Sequence, residues 1–259
     1  MLFALLDSCF VTPPDQARVG WLRGVTYAHR GLHGAGSSGG VPENSPKGFA
    51  LAIERGLGIE CDVQRTADGQ AVVFHDWELE RLTGETGAVL DRRMDQLTKI
   101  ALSGSTDLIP TLREFLTQVA GRVPVLIELK SRSDLRAAPL CLAVRRALEG
   151  YRGPVAVMSF DPRVSRWFAR YSPHIVHGLV VTENGSRTLP SRIKRRLAFW
   201  QAKPQFLAWD IRDLPSKFAA KQRKRGFPLL TWTVRSAELA ARAADCADGP
   251  IAEGAGLGA

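Results

Sequence analysis

The chain has 259 residues, of which 45% are hydrophobic, so it can bury a substantial core and is not intrinsically disordered. Its formal net charge of +9 suits an anionic substrate or surface. No apolar run reaches the roughly 20 residues of a membrane-spanning helix, and the apolar start lacks the cationic segment of a signal peptide. The four cysteines form no CxxC pair, which favours free thiols in a cytoplasmic protein.

Strand-like apolar runs alternate with helix-like segments along the chain, a pattern typical of parallel βα units. The predicted fold is an α/β-class (β/α)8 TIM barrel, formed as a single domain over residues 1–259. An additional strand is expected at Val72–His75, after a hairpin turn at Asp68-Gly69. The eight barrel strands are expected to begin near Val25, Gly58, Val125, Val155, Ile175, Phe206, Leu229 and Pro250.

Capping residues mark where several of the intervening helices begin, because Ser and Thr side chains accept hydrogen bonds from the first turn. A proline directly after the cap strengthens the first of these signals. Helices are therefore expected from Ser45 and Pro46 to Gly56, from Thr111 with Glu114 in a capping box, and from Ser236 to about Ala244.

Three segments depart from a regular barrel. The region of approximately 83–110 is too long for a barrel loop and is predicted to be a small insertion after the second barrel strand, capping the catalytic face. The loop Gly34–Gly40 is rich in glycine and serine and is expected to be mobile. The last strand is followed at once by Gly254–Ala259, so the closing helix must be missing or replaced, with the N-terminal segment as the candidate.

Two acidic residues, Glu60 and Asp62, lie in an otherwise apolar strand. Residues two apart in a strand point to the same face, and two buried carboxylates side by side repel each other. A divalent cation relieves this cost, and hard oxygen ligands suit Mg²⁺ or Ca²⁺. The alternative is an exposed edge strand with solvated acids.

A set of short motifs surrounds this pair, and their order carries more information than any one of them. Together they resemble the glycerophosphodiester phosphodiesterase family, most strongly from His29 to Thr83 and more weakly to about Glu253. The motifs are HRG from His29, PENS from Pro42, IECDV from Ile59, DG from Asp68, VVFHD from Val72, LERLTG from Leu79 and IELK from Ile127.

The resemblance implies a metal site and a pair of catalytic histidines. It makes Glu60, Asp62 and Glu128 the metal ligands, although a salt bridge to Lys130 alone remains the alternative for Glu128. It makes His29 and His75 the general acid and base, and the sequence does not say which is which.

Further residues are expected to support the reaction. Arg30 and Lys130 would neutralise the phosphate oxygens. Glu43 and Asn44 match the PEN motif and are expected to orient the site. Trp232 matches an aromatic residue near the substrate in relatives, and ordinary packing is its alternative role.

The resemblance implies metal-dependent hydrolysis of glycerophosphodiesters to an alcohol and sn-glycerol 3-phosphate. The alternatives are a lysophospholipase D that acts on lysophospholipids, and a degenerate barrel that binds phosphodiesters without cleaving them. A zinc amidohydrolase would need an HxH pair on the first strand, which His29-Arg30-Gly31 does not supply.

The expected partner is a small-molecule phosphodiester, with no nucleic acid, because the two basic clusters lack interleaved aromatic residues. These clusters, 192–196 and 221–225, are expected to be mainly solvated helix faces. A membrane surface is possible but not favoured, and the oligomeric state is open.

Overall fold

The computed structural model of the chain describes residues 2–34, 40–183, 185–186 and 188–258. Most of the predicted mobile loop Gly34–Gly40 lies outside the described residues. The strands are β1 Tyr27–Ala28, β2 Gly58–Arg65, β3 Ala71–Val73, β4 Val125–Leu129, β5 Val155–Ser159, β6 Val176–Val181, β7 Phe206–Asp210, β8 Leu229–Val234 and β9 Gly249–Ala252. The α-helices are α1 Leu2–Phe10, α2 Gln16–Val19, α3 Pro46–Glu54, α4 Glu80–Thr83, α5 Met94–Leu97, α6 Leu112–Val119, α7 Ala138–Ala147, α8 Pro162–Tyr171, α9 Leu189–Ala202, α10 Lys217–Lys224 and α11 Ala237–Cys246.

The strand order confirms the (β/α)8 fold class. The strands pair in the order β1-β9-β8-β7-β6-β5-β4-β2-β3, and β1 also pairs with β2. The pairs β1–β2, β2–β4 and those from β5 to β9 along the sheet are parallel. The predicted additional strand is β3, which runs antiparallel to β2 and spans Ala71–Val73 where Val72–His75 was expected.

The chain forms two compact units, one of Tyr27–Val155 and one of Met1–Thr26 with Ala156–Ala259. The organisation as one domain stays a prediction. In the first unit, the Asp68-Gly69 hairpin turn is confirmed, with Gly69 at a φ of 78° and its N–H donating to the Thr66 carbonyl at 3.0 Å.

The capping residues predicted from the sequence begin the helices as expected. Ser45 Oγ accepts a hydrogen bond from the Gly48 N–H at 3.0 Å, with Pro46 in the first turn. Thr111 and Glu114 form a reciprocal capping box. Ser236 caps α11, which continues two residues beyond the predicted Ala244, to Cys246.

The segment predicted as an insertion packs in the first unit against β3 and the residues that follow it, in one small apolar cluster. It lies between β3 and α6, contains α5 and a 3-10 turn at Val89–Asp91, and adjoins α4. The Met94 N–H donates to Asp68 Oδ1 at 3.0 Å, which joins this segment to the hairpin turn. The cluster buries Val72, Phe74, Leu79, Val89, Met94, Leu97, Leu102 and Ile109.

In the second unit, α1 packs against α9 and α10 through the fully buried carboxylate of Asp7. Trp200 Nε1 donates to Asp7 Oδ1 at 2.9 Å, and Arg196 and Lys221 lie 3.6 and 3.7 Å from the carboxylate. The expectation that both basic clusters are simply solvated is therefore wrong for these residues. Arg225 also donates to the main chain, to the carbonyls of Asp7 and Val11.

A 3-10 turn at Gly254–Leu257 follows β9, with no α-helix after it in the described part of the chain. The N-terminal helix contacts α9 and α10, and the replacement of a closing helix by the N-terminal segment stays a prediction. All four cysteines are free thiols, as predicted. Within the described residues, no helix is long and apolar enough to cross a membrane.

Candidate active site

The three carboxylates singled out from the sequence converge at adjacent positions of β2 and β4. Glu60 and Asp62 lie on one face of β2, and Asp62 is in register with Glu128 on the parallel neighbour β4. One oxygen from each carboxylate lies within 4.8 Å of the others. Glu60 and Asp62 are each 1% exposed, so the alternative of an exposed edge strand with solvated acids is wrong.

The electrostatic environment shifts the pKa values of these carboxylates in different directions. Burial and the charges of Asp62 and Glu128 raise the pKa of Glu60 well above its usual range. Burial also raises the pKa of Asp62, but Lys130 and Arg30 outweigh it and lower the pKa to about 2. The pKa of Glu128 is raised by burial, against the opposing effect of Lys130. A divalent cation fits this donor set, because it offsets the repulsion that the two cationic side chains leave uncompensated.

Lys130 contacts two of the three carboxylates. Its Nζ donates a hydrogen bond to Glu128 Oε1 at 2.9 Å and lies 3.5 Å from Asp62 Oδ1. Glu128 therefore forms a salt bridge with Lys130 and also belongs to the carboxylate cluster. The alternative, in which Glu128 only pairs with Lys130, does not describe this arrangement.

Two residues with left-handed backbone conformations form hydrogen bonds with Asp62 and Glu60. Arg30 and Asn44 both have a φ of 56°, which asparagine tolerates better than most residues. Asn44 Nδ2 donates to Asp62 Oδ2 at 3.0 Å, and its Oδ1 accepts from the Asp62 N–H at 3.2 Å. The Arg30 N–H donates to Glu60 Oε2 at 3.1 Å, and Arg30 Nε lies 3.0 Å from Asp62 Oδ2.

A chain of charged contacts connects His75 to Arg30. His75 Nδ1 lies 2.6 Å from Asp76 Oδ1, and Arg81 forms ion pairs with both Asp76 and Glu43. Glu43 Oε1 also accepts from Arg30 Nη1 at 2.8 Å. The pKa of Asp76 falls to about 2, chiefly because of the hydrogen bond from Arg81. Asp76 is therefore an ionised acceptor for His75, and Glu43 faces two guanidinium groups.

Both histidines lie within electrostatic reach of the carboxylates. His29 directly follows β1 and is 9% exposed, and the charges of both His29 and His75 help lower the pKa of Asp62. Burial lowers the pKa of His75, and the charges of Lys130 and Arg30 add to this effect, while Asp62 opposes it. His75 is consequently neutral near pH 7 in the metal-free protein.

Trp232 belongs to the other compact unit, on β8. Its Nε1 donates to the Ala208 carbonyl at 3.1 Å, and its ring meets the Phe160 ring edge-on at 5.3 Å. Its part in substrate binding stays a prediction.

The sequence reasoning did not select Asp76, Arg81 or Gln64 as site residues. Gln64 Nε2 donates to the carbonyls of Phe74 and Asp76 and so supports the segment that carries His75. The signals were present, since Asp76 ends the VVFHD motif and Arg81 is the arginine of LERLTG. Gln64 also continues the two-residue spacing of Glu60 and Asp62 along β2.

Comparison with known proteins identifies the family. The model of the glycerophosphoryl diester phosphodiesterase family matches residues 29–247. The chain belongs to this family. It is 27% identical over 225 residues to a glycerophosphodiester phosphodiesterase of Caldanaerobacter subterraneus, covering 82% of this chain and 86% of the relative. A glycerophosphodiester phosphodiesterase of Bacillus altitudinis is 32% identical over 159 residues, 58% of this chain and 63% of that relative.

Solved structures show the same fold. A phosphodiesterase of Oleispira antarctica, in complex with the product sn-glycerol-3-phosphate, gives a TM-score of 0.74 at 23% identity, over 89% of this chain and 93% of that one. A glycerophosphodiester phosphodiesterase of Thermotoga maritima gives a TM-score of 0.68 at 24% identity, over 88% and 94%. Family membership makes the chain an enzyme, a phosphoric diester hydrolase.

The opposite pKa shifts of Glu60 and Asp62 predict opposite effects of neutralising them in the metal-free protein. A carboxyl whose folded-state pKa is raised loses its contribution to folding as pH rises through that pKa, whereas a lowered pKa stabilises the fold above the unfolded value. Glu60→Gln is therefore expected to raise the Tm at pH 8, and Asp62→Asn to lower it. Each 1 kcal/mol corresponds to about 2–4 °C in a chain of this size.

Scanning calorimetry in EDTA at pH 5 and pH 8 checks this pair of predictions. The advantage of Glu60→Gln over the wild type should grow with pH, because the wild type loses stability as Glu60 ionises. Glu54→Gln is a suitable control, since Glu54 is solvent-exposed at the end of α3. A Glu60→Gln variant that is less stable than the wild type at pH 8 contradicts the electrostatic assignment.

Proposed function

We propose that the chain cleaves glycerophosphodiesters to an alcohol and sn-glycerol 3-phosphate, with a divalent cation at Glu60, Asp62 and Glu128. The observation that carries the proposal is the convergence of these carboxylates, from β2 and β4, with two histidines in electrostatic reach. The Oleispira antarctica enzyme of the same fold holds sn-glycerol-3-phosphate, which supports this product class.

The donor set suits Mg²⁺ or Ca²⁺, both of which prefer carboxylate oxygens. When bound, such a cation would polarise a phosphate oxygen and help to orient the substrate. Lys130 and Arg30 add fixed positive charge beside it. Burial lowers the pKa of each, but the neighbouring carboxylates outweigh burial and raise both pKa values, so both side chains stay protonated at neutral pH. They are therefore able to stabilise negative charge that develops on the phosphate.

We infer that His75 is the general base of the first step. The ionised Asp76 accepts from Nδ1 of His75, which leaves Nε2 of the neutral imidazole unprotonated. Nε2 removes the proton of the glycerol 2-hydroxyl as this oxygen attacks phosphorus. His29 donates a proton to the departing alkoxide, whose bond to phosphorus breaks. Water then opens the cyclic phosphate, with the two histidines exchanging roles, and sn-glycerol 3-phosphate is released.

A lysophospholipase D activity is the second candidate, and one observation favours it. A cavity of about 220 Å³ adjoins Lys130 in the first unit. Trp77, Leu90, Leu135 and Leu140 form part of its wall. This apolar surface lies beside Lys130, which is proposed to bind the phosphate, and could contact the acyl chain of a lysolipid.

The charged part of the cavity wall favours soluble substrates. Arg65, Arg132 and Arg136 also line it, and covering charged groups with an acyl chain is costly. Glycerophosphocholine or glycerophosphoethanolamine is therefore expected to have a higher kcat/KM than the matching lysolipid.

Release of the headgroup alcohol, choline or ethanolamine, from both substrate classes, with Mg²⁺ and then Ca²⁺, tests the proposal; the phosphate product is sn-glycerol 3-phosphate from the soluble substrate and its acylated form from the lysolipid. Anionic vesicles are not expected to raise the rate on the soluble substrates. A clear preference for the lysolipid would establish the lysophospholipase D alternative, and no cleavage of either class would overturn the proposed function.

A further inference from the structure

The exposed face of α9 carries three bulky apolar side chains on a helix that is otherwise rich in basic residues. Leu189, Ile193 and Leu197 are 60%, 38% and 54% exposed. Their spacing of four residues places them on one side of the helix. These bulky apolar side chains form a continuous stripe that faces solvent.

The apolar stripe extends onto the N-terminal helix. Phe10 at the end of α1 is 48% exposed, and its ring centroid lies 5.0 Å from that of Trp200 on α9. Phe10, Leu189, Ile193 and Leu197 account for four of the nine large hydrophobic side chains that are exposed in the described part of the chain. Such a concentration on one surface is typical of an interaction site.

Basic residues flank the stripe, and the helix that carries it has no acidic residue. In a helix of 3.6 residues per turn, Arg192 lies on one side of the stripe and Lys194 on the other. Both are exposed, and neither forms an ion pair within the described residues. The neighbouring helix α10 also lacks acidic residues.

A cationic cavity of about 490 Å³ lies between α9 and the beginning of α10. Arg192, Arg195, Arg196, Lys217 and Lys221 contribute positive charge to its lining. Three of these cations are themselves engaged, because Arg196 and Lys221 contact Asp7 and Arg195 contacts Glu183, so Arg192 and Lys217 are the exposed cations of the lining. Each of the two acidic residues of the lining also has a partner. Glu183 pairs with Arg195 at 3.3 Å, and Asp213 Oδ2 accepts from the Glu183 N–H at 2.5 Å. The cavity therefore presents net positive charge next to the apolar stripe.

We propose that this surface, formed by Phe10, the stripe on α9 and the adjoining cationic cavity, binds the surface of an anionic membrane. The stripe would enter the boundary between headgroups and acyl chains, as amphipathic interfacial helices do. Arg192, Lys194 and Lys217 would contact lipid phosphates, with each cation near the membrane adding to the attraction. Charge selects the occupant, because an acid-free helix flanked by cations is complementary to acidic lipids and repels a second copy of itself. The proposal does not depend on the proposed function.

Vesicle co-sedimentation with the full chain tests the proposal. The wild type is expected to bind vesicles of phosphatidylglycerol and phosphatidylcholine and not vesicles of phosphatidylcholine alone, and high salt should weaken the binding by screening. Ile193→Ser with Leu197→Ser should weaken binding about tenfold by removing the apolar contact. Arg192→Glu with Lys194→Glu should weaken it by at least about tenfold, since each lost cation near the surface accounts for roughly fivefold.

Leu108→Ser is the matched control, because Leu108 is a similarly exposed apolar residue, at 45%, in the other unit. This variant is expected to bind vesicles like the wild type. All variants should cleave glycerophosphocholine at the wild-type rate, which separates loss of membrane binding from misfolding. Failure of that cleavage in the wild type would count against the proposed function alone. Absence of wild-type binding to the anionic vesicles, or binding by both double variants that equals that of the wild type, overturns the membrane proposal. A dimer in light scattering that Ile193→Ser with Leu197→Ser dissociates would also overturn it, by showing that the stripe joins two copies of the chain.

Discussion

Replacing His75 with alanine is expected to lower kcat by about 10²–10⁴-fold, the usual contribution of a general base. The expectation rests on the contact between His75 Nδ1 and Asp76, which leaves Nε2 as the proton acceptor. His29→Ala is expected to cause a loss in the same range on substrates with a poor alcohol leaving group. Steady-state kinetics with glycerophosphocholine measures both.

The leaving group separates the two roles. A p-nitrophenolate leaving group needs little protonation, so His29→Ala should regain much of its rate on a p-nitrophenyl phosphodiester of glycerol. His75→Ala should not, because the attacking hydroxyl must still lose its proton. His174→Ala is the control, since His174 is exposed, belongs to the other unit and carries no motif. Recovery by His75→Ala in place of His29→Ala would reverse the assignment, and near wild-type turnover of either variant on glycerophosphocholine would remove that histidine from the mechanism.

Removal of divalent cations is expected to lower the activity by on the order of 10²-fold or more, because a bound cation contributes several kcal/mol to stabilising charge on the phosphate. The proposed ligands are three carboxylates with oxygens within 4.8 Å of one another. Glu128→Gln should weaken metal binding and lower the rate together. Dialysis against EDTA, followed by titration with Mg²⁺ and with Ca²⁺, measures the requirement, and calorimetry measures the affinity.

Glu43→Gln distinguishes a metal ligand from a residue that positions the site. Glu43 contacts Arg30 and Arg81 and is not one of the three clustered carboxylates. Its substitution is expected to lower kcat while leaving the metal affinity close to that of the wild type. Full activity of the wild-type protein in excess EDTA after dialysis would contradict the metal requirement.

Local chemistry made much of the fold accessible from the sequence. The β2 strand follows from its apolar run, and α3 and α6 begin where Ser45 and Thr111 cap them. Caps, hairpin turns and alternation of side chains involve neighbours within a few residues, so the sequence alone determines them. The spacing of Glu60 and Asp62 likewise predicted a shared face of one strand, because the period of a strand is two residues.

Only the tertiary structure decided how these residues differ in charge state and which side chains support them. Glu60 and Asp62 are chemically similar and two residues apart, yet Lys130 lies 3.5 Å from Asp62, and this contact helps send their pKa values in opposite directions. Arg81 reaches Glu43 across 38 residues of sequence. Asp7 on the N-terminal helix similarly contacts Arg196 and Lys221, one residue from each basic cluster. Burial and Coulomb energies depend on distance in space, so sequence separation cannot reveal them.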